Sequence, residues 1–124
     1  MKKVSLLVLA LVYSLQVSAA TPKKISDEDR AKSAVRSMLI DPDSAKFEPL
    51  IVSKGTGSIC GYFNARNRMG GYAGKTLFYV TKEMDVTLEP TEGMDSYDSD
   101  TAITALRTHM AFLQDIRKNC PEMR

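Results

Sequence analysis

Two cysteines, Cys60 and Cys120, constrain this chain of 124 residues more than any other pair. The first lies in a β-prone run and the second just beyond a helical pattern, so joining them would pin the last helix against a sheet. An even cysteine count in a small exported domain reads as a disulfide, and two cysteines allow one intramolecular pairing. Closing the intervening loop of about 60 residues would disfavour the unfolded chain by roughly 4 kcal/mol. A metal pair or a reactive thiol fits less well, because the cysteines are far apart in sequence, no histidine flanks either one, and zinc normally takes four ligands.

Export is read from the first residues. Lys2 and Lys3 form a basic start, Val4 to Val12 an apolar run, and Val17, Ser18, Ala19 and Ala20 a small-residue exit; together they have the pattern of a secretory signal peptide. Cleavage is expected after Ala19. The predicted organisation is a signal peptide over 1–19, a flexible segment over 20–25 and a single small domain over 26–124. The apolar run is about half the roughly 20 residues that span a bilayer, so no stable membrane span is expected once the leader is removed. The expected location is periplasmic or secreted.

The formal charge of +2 belongs to this leader: without Lys2 and Lys3, Lys plus Arg equal Asp plus Glu. A near-neutral, exported product argues against nucleic acid as a partner. The charges are still segregated. Lys54, Arg66, Arg68, Lys75 and Lys82 run without an acid among them, followed by Glu83, Asp85, Glu89, Glu92, Asp95, Asp98 and Asp100 without a base. Such blocks either steer a partner of opposite charge or pair with one another and stay solvated.

Ser26 with Asp29 three positions on reads as a helix-opening capping box, and Ala31, Ala34, Val35, Met38 and Leu39 place one apolar face on a helix running to about Ile40. Pro42 ends it, leaving Asp41 to cap a short turn that holds Ser44 to Lys46. Glycine-separated β-prone runs follow: Leu50 to Ser53, Ile59 to Ala65, Lys75 to Thr81 and Val86 to Leu88. In the third run, Leu77 and Tyr79 should face away from Phe78 and Val80. Thr91 to Ser99 reads as an acidic loop. A last helix, capped by Asp98 or Ser99, carries Ile103, Leu106, Met110 and Leu113 as its apolar stripe and stops at Pro121. The expected fold class is α+β: an N-terminal helix, an antiparallel meander of three to four strands, and a C-terminal helix packed on the sheet.

Two segments, Asp41-Pro42-Asp43-Ser44-Ala45-Lys46-Phe47 and Cys60-Gly61 with Asn64-Ala65-Arg66-Asn67 and Gly70-Gly71-Tyr72-Ala73-Gly74, resemble a group of small, largely uncharacterised exported proteins of Gram-negative bacteria and their phages. The resemblance implies export and the helix, meander and helix order. It implies no activity.

The richest candidate site is the corner from Asn64 to Gly74. Asn64, Arg66, Asn67, Arg68 and Tyr72 gather two amides, two guanidinium groups and an aromatic ring there, a set able to hold an anion, a sugar or a peptide backbone. Alternatively the asparagines bond the turn to itself, the glycines permit positive φ and Tyr72 covers the core. The spacing is not that of a phosphate loop. His109 flanks the apolar stripe of the last helix, where a packed boundary ring competes with a catalytic role in a hydrolase. Asp95, Asp98 and Asp100 lack the calcium-loop pattern, and the methionines are too scattered for copper. The sequence therefore predicts no catalytic residue, no metal and no cofactor. It predicts a non-catalytic interaction protein (inhibitor, immunity or assembly factor) with a protein partner in the cell envelope. The alternative is a binding module for cell-wall saccharide or an anionic ligand at the Asn64–Gly74 corner.

Overall fold

Ser26 starts the first helix. Its hydroxyl accepts the Asp29 N–H at 3.1 Å and donates to the Asp29 carboxylate at 2.7 Å, satisfying a helix-start amide and holding an acid at the positive end of the dipole. In the computed structural model, which describes residues 25–92 and 97–123, this helix (α1) spans Asp27–Arg36. The leader, residues 20–24 and the Gly93 to Ser96 part of the acidic loop lie outside the described residues. α1 stops short of the expected end near Ile40. Met38 and Leu39 donate to carbonyls only three residues back, tightening the chain into turns ahead of Asp41, which Pro42 keeps out of the helical region. Met38 and Ile40 are consequently exposed, and Leu39 packs on the core.

Pro42–Ser44 form a 3-10 turn, but Asp41 does not cap it through its side chain. The Ser44 hydroxyl instead donates to the Asp41 carbonyl at 2.8 Å. Lys46, expected inside the turn, opens a strand.

The sheet is antiparallel and has five strands: β1 (Lys46–Phe47), β2 (Ile51–Val52), β3 (Ile59–Asn64), β4 (Thr76–Val80) and β5 (Val86–Leu88). Its order is β1-β3-β4-β5, with β2 also on β3. The strand count exceeds the expected three or four because a two-residue strand at Lys46–Phe47, where a turn was expected, precedes the predicted Leu50 to Ser53 strand, itself shortened to Ile51–Val52, on one edge of β3. Phe47 lies level with Phe63 and Ile51 with Cys60, so Glu48, Pro49 and Leu50 oppose only Gly61 and Tyr62. That surplus residue is a bulge, centred on a proline that has no N–H for the ladder.

Alternation along β3 and β4 divides the core into two layers. Ile59, Phe63, Phe78 and Val80 meet Ala31 and Val35 of α1 on one face, while Cys60, Leu77 and Tyr79 face the C-terminal helix on the other. The predicted opposite facing of Leu77 and Tyr79 against Phe78 and Val80 is therefore observed. Phe47, Phe63 and Phe78 cluster with ring centroids 5.8–6.2 Å apart under α1.

The C-terminal helix, α2, spans Ser99–Asn119 and is capped by Asp98, whose carboxylate accepts the Thr101 N–H at 2.8 Å and the Thr101 hydroxyl at 2.6 Å. These bonds hold the Asp98 carboxyl below its usual range, the hydroxyl bond contributing most. Cys60 and Cys120 form the predicted disulfide, with Cα atoms 6.3 Å apart. That bond fixes the rotation of α2. The residues one and two turns before Cys120, Ile116 and Phe112, are the ones turned to the sheet, and Phe112 stacks on Tyr79 at 6.2 Å. The predicted stripe is corrected accordingly: Leu113 packs in part, whereas Ile103, Leu106 and Met110 are 48%, 53% and 51% exposed.

Three hydrogen bonds reinforce the covalent link. Thr56 donates to the Asn119 carbonyl at 2.6 Å, and the Glu122 carboxylate accepts from the Lys54 N–H at 3.2 Å and the Ser53 hydroxyl at 3.4 Å. Among the described residues, no helix is long and apolar enough to cross a membrane.

Candidate binding surface at the Asn64–Gly74 corner

Beyond β3 the chain makes a hairpin-like excursion that bonds to itself. The Asn67 side-chain oxygen accepts the N–H groups of Met69 at 3.0 Å and Gly71 at 3.2 Å, and the Asn64 oxygen accepts Gly74 N–H at 3.2 Å. Asn67 N–H reaches the Gly71 carbonyl at 2.8 Å, and Arg66 and Tyr72 form an isolated β-bridge. Gly70 and Gly74, at φ 79° and 101°, occupy the left-handed region that side chains disfavour. Both amide oxygens thus hold the loop together, as the structural alternative expected.

The tyrosine does something else. Tyr72 is 41% exposed and does not cover the core. Lys46 Nζ lies over its ring, 4.6 Å from the centroid, and the Arg66 guanidinium lies 5.7 Å from the same centroid. The Tyr72 hydroxyl donates to the Ser44 carbonyl at 3.3 Å, and the Ser44 hydroxyl accepts the Arg66 N–H at 2.8 Å. The 3-10 turn before β1 and the glycine corner therefore form one unit, with two cations held against one aromatic ring on its outer surface. Each such contact is worth about 0.5–1 kcal/mol at an exposed site.

Of the five predicted site residues, Asn64, Arg66, Asn67 and Tyr72 belong to this unit. Arg68 stands apart at the exposed loop tip beside Met69. Ser44 and Lys46 were not singled out from the sequence. The signal was in the Asp41 to Phe47 segment, but only the pairing of Lys46 with Asn64 brings the two segments together. Lys75 turns to Glu48 on the first edge rather than to the acidic run.

A groove of about 240 Å³ runs beneath the corner, lined by Met38, Ile40, Arg66, Asn67 and Glu89 among others. It falls short of the roughly 300–1,000 Å³ usual for small-molecule sites. A larger open cleft of about 690 Å³ lies elsewhere, between Pro90 and Glu92 and the Asp100, Thr101, Thr104 and Thr108 side of α2.

His109 is half-buried, as a boundary ring would be. Its Nδ1 is 3.9 Å from a Glu89 oxygen, beyond hydrogen-bonding distance, and has no hydrogen-bond partner among the described residues. The other Glu89 oxygen accepts the Leu77 N–H at 3.0 Å, continuing the β4–β5 edge. Arranged this way, the carboxylate serves the sheet before it serves the imidazole.

No protein-family model, no curated protein and no solved structure matches this chain.

Proposed function

We propose that this chain is an exported, non-catalytic interaction protein of the cell envelope that meets an acidic surface of a protein partner through Lys46, Arg66 and Tyr72. The observation that carries the reading is the pair of cations over the Tyr72 ring, on a corner already rigid through its own hydrogen bonds. Charges held in place lose less freedom on binding than charges on loose side chains. The leader pattern and the Cys60–Cys120 bond fit an oxidising compartment, in keeping with the resemblance to exported proteins. A small, stapled frame is compatible with an inhibitor, immunity or assembly factor.

The alternative, a module for cell-wall saccharide or an anionic headgroup, draws on the same cations. Two features favour the protein partner. The groove under the corner is small, and the Tyr72 ring on which a sugar would stack is already engaged by Lys46 and Arg66.

The test is crosslinking in intact cells, followed by recovery of the chain with its complex. Lys46→Glu with Arg66→Glu should abolish the complex and leave the melting temperature within a few degrees of the parent. A complex that survives both charge reversals overturns the proposal. Loss of cosedimentation with peptidoglycan or anionic vesicles in the same variant would favour the alternative.

A further inference from the structure

The exposed apolar residues of α2 are not scattered. Ile103, Leu106, Met110 and Leu113 follow steps of three, four and three, the a and d spacing of a coiled-coil seam. Three of the four are about half exposed, and Leu113 is only partly covered. Their position follows from the disulfide, because seating Cys120, Ile116 and Phe112 on the sheet turns the neighbouring stripe outward. It also follows from length. At 1.5 Å per residue, the 21 residues of α2 extend about 31 Å, whereas β4 has five residues and the buried anchors occupy only the C-terminal half of the helix.

The seam continues onto an uncovered part of the sheet. Leu113 and Arg117 border a groove of about 550 Å³ with Leu77, Ile116 and Met123, and Ile51 and Tyr62 lie beside it, each 37% exposed. A helix with side chains is about 10 Å wide and strands are about 4.8 Å apart, so a single helix covers roughly two strands and leaves room for another alongside.

We infer that a second copy of this chain fills that place, with the two α2 helices packed antiparallel. Charge selects the occupant and the direction. Asp100 lies in the first turn of α2, and Arg117 and Lys118 lie in the last. Setting Leu106 against Met110 of the second copy, and Ile103 against its Leu113, brings Asp100 level with Ile116 and Arg117 of that copy at both ends. A parallel pair would set like charges together, whereas the antiparallel pair also opposes the helix dipoles. Arg107 flanks the seam near the twofold axis, an exposed like-charge approach of little cost. The contact is isologous, as closed homodimers require.

Sedimentation and light scattering of the oxidised, full-length mature chain test this. The parent should pass from monomer to dimer as its concentration is raised. Leu106→Glu with Met110→Glu should weaken the dimer at least roughly tenfold, with the helical signal and the disulfide retained. Asp100→Arg alone should weaken it, and Asp100→Arg with Arg117→Asp should restore it. The charge exchange stays decisive even if the seam variant folds poorly, because neither residue is in the core. A parent that remains monomeric up to about 1 mM, a charge exchange that restores nothing, or a seam that binds only lipid vesicles or a different protein would overturn the inference.

Discussion

The Ser44 hydroxyl accepts the Arg66 N–H at 2.8 Å, across 22 residues of sequence, while donating to the Asp41 carbonyl. One short side chain thereby ties the turn before the first strand to the polar corner after the third. Ser44→Ala should lower stability by about 0.5–1.5 kcal/mol, since water can replace the lost partner at this exposed N–H. Denaturant unfolding gives the magnitude. Amide exchange should quicken at Arg66 more than at Phe78, and equal change at both would contradict the link.

Tyr72→Leu should remove the surface that orients Lys46 and Arg66 while costing only about 0.5–2 kcal/mol of stability. Tyr72→Phe retains the ring and loses only the bond to the Ser44 carbonyl. Binding titrations against the captured partner should rank the parent near Tyr72→Phe and well above Tyr72→Leu. A Phe variant as weak as the Leu variant would assign the effect to the hydroxyl.

Replacing Cys60 and Cys120 by alanine should lower stability by about 2–4 kcal/mol, the usual range for a native bond closing a long loop. It should also lower the protection of α2 more than that of α1, because the disulfide and the Thr56 and Glu122 hydrogen bonds secure the same end of α2. Calorimetry with residue-resolved exchange separates the two effects.

Gly61 lies on the α1 face of β3, where an added Cβ would come 2.6 Å from a Leu50 methyl and 3.5 Å from the Phe78 ring. Gly61→Val should overpack this spot and cost about 1–3 kcal/mol. Leu50→Ala, combined with it, should recover part of the loss. Strict additivity in that double-mutant cycle would show that the crowding is not where the geometry places it.

Glu122 is held below its usual range chiefly by its own backbone N–H, with further help from the Lys54 N–H, the Ser53 hydroxyl and the Lys54 charge, while burial acts in the opposite direction. A folded-state value lower than the unfolded one contributes stability that is present above the unfolded value, near 4.5, and is lost as the pH falls through the folded one. Asp98 behaves the same way from a starting value near 3.8. Acid titration should therefore loosen both ends of α2 at once. Glu122→Gln with Asp98→Asn should flatten the fall in thermal stability below pH 5, as followed by circular dichroism.

Much of the local chemistry was legible from neighbours in sequence, the end of α1 and the Asp41 cap excepted. The Ser26 start, the Asp98 cap, the alternation of β4 and the Asn67 turn all depend on residues a few positions apart. What was hidden depended on contacts across the sheet. The bulge at Glu48 to Leu50 exists only relative to β3, so Lys46 read as part of a turn and Leu50 to Ser53 as the first strand on that edge. The four apolar residues of α2 read as core because periodicity gives a stripe without saying which stripe meets the sheet; Cys120 settles that through its bond to Cys60. The partnership of Ser44 and Lys46 with Tyr72 was out of reach for the same reason.

The proline bulge on the outer edge of the sheet guards against aggregation. Strand addition by a stray chain needs an unbroken row of amide and carbonyl groups, and here the row is cut into two-residue lengths whose registers disagree by one position. An incoming segment that zipped onto Ile51 and Val52 would lose step before it reached Phe47. Restoring a continuous edge, by deleting one of the three residues between β1 and β2, would turn that margin into a template for polymer growth.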